Sequence, residues 1–255
     1  MAPPLAPSHP LRLAPRLGLL VSLVGVLLVF LPGPLNRFGL LDFRTGFSGM
    51  QWGAYAGVAG AVLCLVALVF ALTATGRARG LRAGPALLGL LLGAAAFGYP
   101  SAFRAKARSV PPIHDISTDL ERPPPFVAVL PLRAGAPNPA EYGGADVARQ
   151  QREAYPDLKP LALPLPRAEA FTRVAEAARA EGWEVVAAVP EEGRLEATDT
   201  TPWWGFKDDV VVRVSEAGPG ASVVDVRSVS RVGRSDVGKN AERIRSFLGR
   251  VRGGS

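Results

Sequence analysis

Cysteine occurs once in the 255 residues, as Cys64. No intramolecular disulfide can therefore form, and no cysteine-based metal site exists. The redox compartment stays open, because a region without cysteine suits oxidising and reducing surroundings alike. Histidine is nearly as scarce, with only His114 beyond residue 108. Acid is missing from residues 1–108 except for Asp42, which faces ten Lys and Arg. There is no Gly-x-Ser-x-Gly elbow, no phosphate loop and no dinucleotide fingerprint. With no thiol and one histidine after residue 108, nucleophilic catalysis has little to work with.

The charge that is present divides along the chain. Residues 109–255 carry 19 bases and 21 acids, so the net charge of +7 belongs to the first 108 residues. Nucleic-acid binding needs basic residues clustered on a folded face, whereas here they flank apolar runs. No nucleic-acid partner is expected.

Residues 1–108 contain three apolar runs, at about 17–31, 53–75 and 83–103. The second, of about 23 residues, crosses a hydrocarbon core of roughly 30 Å at about 1.5 Å per residue. The first has the charged start and apolar centre of a signal peptide, but no small-x-small cleavage site follows, so it reads as an uncleaved span. The third carries Pro85 and Pro100 near its ends, where few intrahelical bonds are lost. Its Gly89, Gly93, Ala94, Ala95, Ala96 and Gly98 favour close helix approach, with Gly89 and Gly93 at the spacing of a packing motif. No span holds Asp, Glu, Lys, Arg or His, which argues against transport and for an anchor or small bundle. The lipid bilayer is the expected partner. Basic residues in the short loops are balanced, five on each side. Because the first span usually dominates, the amino terminus is expected inside and residues 109–255 outside.

Residues 109–255 read as a soluble α+β domain. A Pro-rich stretch to about residue 165 holds one predicted strand, Phe126 to Leu130, and a short helix from Ala145 to Ala154. The segment Arg167 to Glu181 has an apolar stripe of Ala170, Phe171, Val174 and Ala178, and Gly182 stops it. Strands are predicted at 183–189, 194–201, 208–215 and 222–232, the last two joined by Gly218-Pro219-Gly220. Across that turn Arg213 falls opposite Asp225, an expected cross-strand ion pair. A helix from Val237 to Val251, capped by Ser235 or Asp236, ends the chain. The expected architecture is thus three N-terminal transmembrane helices followed by an antiparallel sheet of four to five strands covered by two helices.

Three stretches go beyond generic patterning. They are Ile113-His114-Asp115-Ile116-Ser117-Thr118-Asp119, then Tyr155-Pro156-Asp157-Leu158, then a long run. That run goes from Ala197-Thr198-Asp199-Thr200 through Trp204-Gly205-Phe206-Lys207-Asp208-Asp209. It continues to Arg227-Ser228-x-Ser230-Arg231-x-Gly233-x-Ser235-Asp236-x-Gly238-x-Asn240-Ala241-x-Arg243-Ile244. Together they resemble domain-of-unknown-function family 1499 over residues 109 to 251, the last run being the specific part. The resemblance implies a bacterial or plastid-type domain, often behind membrane spans, with no established activity. It supplies no catalytic residues, and any cofactor stays unknown. With it, the expected location is a bacterial inner membrane with the soluble domain on the periplasmic side.

Three clusters carry candidate chemistry. His114, Asp115 and Asp119 place an imidazole beside carboxylates, which suits metal binding or proton transfer if Asp199 or Asp208 converges on them. The bland reading is a loop making side-chain to backbone bonds. Asp199, Asp208 and Asp209 flank Trp203 and Trp204, where the aromatics suit a sugar or a membrane interface and the carboxylates a hard divalent cation. Against that stands burial of one Trp as a core plug. Arg227, Arg231 and Asn240 belong to a basic, Gly-containing turn opening a helix, suited to phosphate or carboxylate unless neighbouring acids neutralise it. The leading expectation is a membrane-anchored, non-catalytic binding or scaffolding domain with an envelope ligand or protein as partner, acting through the charged sheet face and the aromatic link. The alternatives are a metal-assisted hydrolase built on the His/Asp cluster and an anion-binding domain built on the Arg-rich turn.

Overall fold

The computed structural model describes residues 13–73 and 83–253. Arg12, the Arg77/Arg79/Arg82 connection and the end of the second predicted span lie outside the described residues. The chain forms two compact units, one of residues up to Ala105 together with Trp203–Gly205, the other of Lys106–Pro202 and Phe206 onward.

The first unit is helical, with α1 (Ala14–Phe30), α2 (Pro32–Arg37), α3 (Phe43–Thr73) and α4 (Ala83–Arg108). Prolines open α1 and α2, where a missing N–H costs nothing. Asp42 accepts the N–H groups of Arg44 and Thr45 at 2.9 and 3.4 Å, capping the start of α3. Among the described residues, three helices, Ala14–Arg37, Phe43–Thr73 and Ala83–Arg108, are long and apolar enough to cross a membrane. Their outward faces are apolar, including Leu20, Val62, Leu65, Val69 and Leu91, which suits a lipid solvent rather than water.

What the three helices bury is mostly small. Gly18, Ser22 and Gly25 of α1 face inward, as do Gly53, Gly57, Gly60 and Cys64 of α3 and Ala86, Gly89, Gly93 and Ala96 of α4. Spacings alternate between three and four, so one seam of small residues runs down each helix and the backbones approach closely. A Cβ on Gly57 would stand 2.7 Å from that of Ala96 and 3.0 Å from the Gly93 carbonyl oxygen. Gly57→Leu is therefore expected to destabilise the bundle by at least about 1–3 kcal/mol. Gly98→Leu, where nothing lies within 4 Å, is the control and should leave the melting temperature of the full chain in detergent unchanged. Equal melting of both variants would show that the seam is not a close contact.

The second unit is α+β. Its antiparallel sheet runs β1-β6-β5-β4-β3, with β2 also paired to β6. The strands are β1 (Asp115–Ser117), β2 (Leu161–Leu163), β3 (Glu184–Val189), β4 (Arg194–Thr200), β5 (Lys207–Glu216) and β6 (Ser222–Ser230). The helices are α5 (Gly144–Ala154), α6 (Arg167–Ala180) and α7 (Lys239–Gly253). Period-two alternation sends Val210, Val212, Val214, Val224 and Val226 to one face, where they pack with residues of α6 and α7. Trp183 stacks on Phe247 within this core at 4.8 Å between ring centroids. Gly218 and Gly220, both at positive φ, make the β5–β6 turn.

Two features differ from the sequence expectation. β1 and β2 are additional strands, laid end to end along the outer edge of β6. The free edge of β1 is closed by a buried amide on α5: Gln151 donates to the Ser117 carbonyl at 2.6 Å and accepts its N–H at 3.0 Å. The predicted strand Phe126 to Leu130 is instead a turn leading into a 3-10 helix, Pro131–Arg133. Its N–H groups do not enter a ladder, because the Glu196 carboxylate takes those of Val127, Ala128 and Val129 at 3.0–3.1 Å.

Candidate functional site

The strand alternation that builds the apolar core also sorts the acids. On β4 and β5, Asp199 lies opposite Asp208 on the helix-covered face, while Thr198 lies opposite Asp209 on the other face. Asp115 on β1 pairs with Val229, which places it on the same face as Asp209 and Arg227. The candidate carboxylates are thus divided by the sheet and cannot converge on one ion.

Under the helices, Arg243 of α7 is the hub. It donates to Asp199 at 2.8 Å, to Asp208 at 2.7 Å, to Ser228 at 3.2 Å and to the Asn240 side-chain oxygen. Burial works against the Arg243 charge, yet Asp208 and Asp199 hold its pKa above the usual guanidinium value. Asn240, fully buried, donates to the His114 carbonyl at 2.9 Å and to Ser230 at 3.1 Å. His114 itself places its ring Nδ1 3.4 Å from the Arg234 carbonyl oxygen. The imidazole is bonded to backbone and is not hydrogen-bonded to Asp115 or Asp119.

On the opposite face lies a second hub, Asp209, with 0 % exposure. It accepts from Arg133 at 2.6 Å, twice from Arg231 at 2.8 Å and from Thr198 at 2.7 Å. Burial raises its pKa, but the bonds from Arg231, Thr198 and Arg133 outweigh that and leave it lowered. Arg227 makes a two-pronged pair with Asp115 at 2.8 and 2.9 Å, and its guanidinium sits over the rings of Phe126 and Tyr142. Burial, reinforced by Asp115, pushes the Tyr142 phenol up to about 12. Arg213 bridges Asp225 at 2.8 Å and Asp119 at 2.9 Å, so the expected Arg213–Asp225 pair is present. Segment 118–142 lies over this face, and its Arg133, Pro124, Phe126 and Ala140 supply partners from above. The charged face of the sheet is consequently an interior.

The basic turn before α7 is also filled from within. Asp236 accepts the N–H groups of Gly238 and Asn240, both at 2.8 Å, while Val237, between Asp236 and Gly238, is held at φ 55. Burial raises the Asp236 pKa in spite of those bonds. The donors that an anion would need at this helix start already serve a carboxylate of the chain. Of the aromatics, Trp203 and Trp204 group with the helical unit, where Trp203 meets Phe30 edge-on at 6.5 Å and Trp204 lies 4.8 Å from Phe47. Among the described residues, no group of three or more His, Cys, Asp or Glu is placed to hold a metal ion.

The residues that organise this region include several with no strong local signal. Arg133, Glu196 and Tyr142 sit in unremarkable sequence, and Arg243 lies in the family-like run without a pattern that marks it as a hub. Each finds its partner dozens of residues away.

With this geometry in hand, the second unit matches a known family profile. The family described as "Protein of unknown function (DUF1499)" matches residues 115–251, more than half of the chain. A comparison with curated proteins gave no match.

Proposed function

The chain belongs to the DUF1499 family, and from that premise we propose a membrane-anchored, non-catalytic binding protein of a bacterial cell envelope. In this reading the three apolar helices lie in the inner membrane and the second unit faces the periplasm, where it engages a protein partner. The observation that carries it is the commitment of the domain's acids and guanidiniums to one another: Asp115, Asp199, Asp208 and Asp209 are each bonded to arginine inside the fold. Groups held in this way stabilise a rigid body and are poorly placed to exchange protons or ligate metal. Because the charged sheet face is covered, the binding surface falls elsewhere. Val127, Leu130 and Leu132 stand 51, 46 and 53 % exposed on the turn that Glu196 fixes from below. A rigid backbone presenting apolar side chains loses little entropy on association.

Two measurements test this reading on the full chain. A reporter active only outside the cytoplasm, fused to the carboxyl terminus, is expected to give signal; signal from a cytoplasm-active reporter instead would reverse the sidedness. A photo-crosslinking side chain at Leu130 is expected to capture a discrete partner in membranes, with no adduct from exposed Lys159. Identical adduct patterns at the two positions, or a substrate turned over by the full chain and spared by Asp208→Asn, would sink the proposal.

A further inference from the structure

Two cavities share one wall on the outside of the α3/α4 pair. The upper, of about 250 Å³, is lined by Phe47, Met50, Gln51, Tyr55 and Ala54 of α3 and by Phe97, Pro100, Ser101, Phe103 and Arg104 of α4. The lower, of about 260 Å³, is lined by Val58, Ala61, Val62 and Leu65 of α3 and by Leu90, Gly93, Ala94 and Phe97 of α4. Phe97 belongs to both. Taken together as one trough, they are lined from Phe47 to Leu65 on α3 and from Leu90 to Arg104 on α4, steps of 18 and 14 residues, or about 27 and 21 Å at about 1.5 Å per residue. Along α4 that is the depth of one leaflet including its headgroup region, half of roughly 40–45 Å, and along α3 the lining runs about one turn further.

The two ends differ in chemistry. Below Phe97 every lining side chain is apolar, and Ala61, Gly93 and Ala94 make a shallow floor between the branched side chains of Val58, Val62, Leu65 and Leu90. Above it stand Gln51, Tyr55, Ser101 and Arg104. Gln51 donates to the Tyr55 hydroxyl at 3.0 Å, and Trp52 and Tyr55 pack edge-on beside it, an aromatic pair of the kind that marks the membrane–water boundary. Pro100 interrupts the α4 ladder at this level and lines the upper cavity. Among the described residues that line the cavity, Arg104 is the one charged group and there is no carboxylate. Asp42, the sole acid of residues 1–108, is turned to the N–H groups of Arg44 and Thr45.

We propose that this trough is a binding site for one anionic glycerophospholipid, with an acyl chain along the α3/α4 groove and the phosphate at Arg104. The occupant follows from the shape and the charge together. A one-leaflet trough that opens between outward-facing Leu65, Val62 and Leu91 meets acyl chains first. A lone guanidinium at the boundary, uncompensated by any acid of the lining, favours a phosphate without a cationic partner over a zwitterion. The site goes beyond anchoring, because it distinguishes one lipid class from the bulk.

The test is native mass spectrometry of the full chain released from detergent with equimolar phosphatidylglycerol and phosphatidylcholine of identical acyl chains. One saturable phosphatidylglycerol adduct is expected, preferred about fivefold, the worth of one basic side chain near an anionic headgroup. Arg104→Gln should bring the preference to near unity while phosphatidylcholine binding stays the same. Ala94→Trp, which fills the floor from an exposed position, should remove the saturable adduct of both lipids. An unsaturable ladder of adducts that neither variant changes would mean bulk lipid only and overturn the site. Phosphatidylglycerol preference surviving in Arg104→Gln, or displacement of the adduct by millimolar inorganic phosphate, would equally overturn it.

Discussion

Replacing Asp209 with alanine is expected to destabilise the second unit by about 3–5 kcal/mol, the usual consequence of leaving buried charges without their partner. Arg133 and Arg231 both rest on this carboxylate, at side-chain exposures of 4 and 14 %. Alanine would leave two guanidiniums facing each other across a dry space. In the full chain the melting temperature of this unit should fall by roughly 10–15 °C, and amide exchange should rise first in β5 and β6. The pH dependence has a definite sign. Burial raises the Asp209 pKa, but Arg231, Thr198 and Arg133 together leave it lowered in the folded state. Its stabilising contribution is therefore complete above the unfolded value of about 3.9 and is lost as pH falls through the folded value below it. Wild type and Asp209→Asn should accordingly differ by a constant amount at neutral pH and converge only below about pH 4. A loss under about 1 kcal/mol for the alanine variant would mean that both arginines reach water or other acceptors, contrary to their burial.

How far this interior could be read in advance depended on sequence distance. The Arg213–Asp225 pair followed from one hairpin, because the Gly218-Pro219-Gly220 turn sets the register and the register sets the neighbours. Asp209 and Arg133 are separated by 76 residues and Asp115 and Arg227 by 112, and no local pattern aligns such partners. The four longer strands showed themselves by alternation, whereas β1 and β2, three residues each, are too short for a period to register. In the helical unit composition alone was ambiguous. Gly89, Gly93 and Ala96 line the seam while Ala94, Ala95 and Gly98 face outward, and only the three–four spacing tells them apart. The candidate acids lie in short stretches of sequence, yet strand pairing places Asp199 and Asp208 on one face of the sheet and Asp115 and Asp209 on the other.

The largest effect on a single turn is expected from Glu196. Its side chain is fully buried, yet it serves as the acceptor for Val127, Ala128 and Val129 and for Arg194 at once. One carboxylate here does the work of a helix N-cap for a turn 67–69 residues away, which is why the segment reads as a strand and folds as a turn. Glu196→Ala orphans three N–H groups, each costing about 1–3 kcal/mol where water cannot reach. Partial hydration of the outer two brings the expected loss to about 3–5 kcal/mol. Hydrogen exchange gives the sharper readout. Amides 127–129 should lose protection before the rest of the unit unfolds, while those of β5, whose ladder to β6 is untouched, should keep theirs. Glu196→Gln keeps one carbonyl oxygen and should retain part of the protection. If amides 127–129 exchange at the wild-type rate in the alanine variant, the turn holds itself, and the rigidity attributed to Val127, Leu130 and Leu132 as a binding surface loses its physical cause.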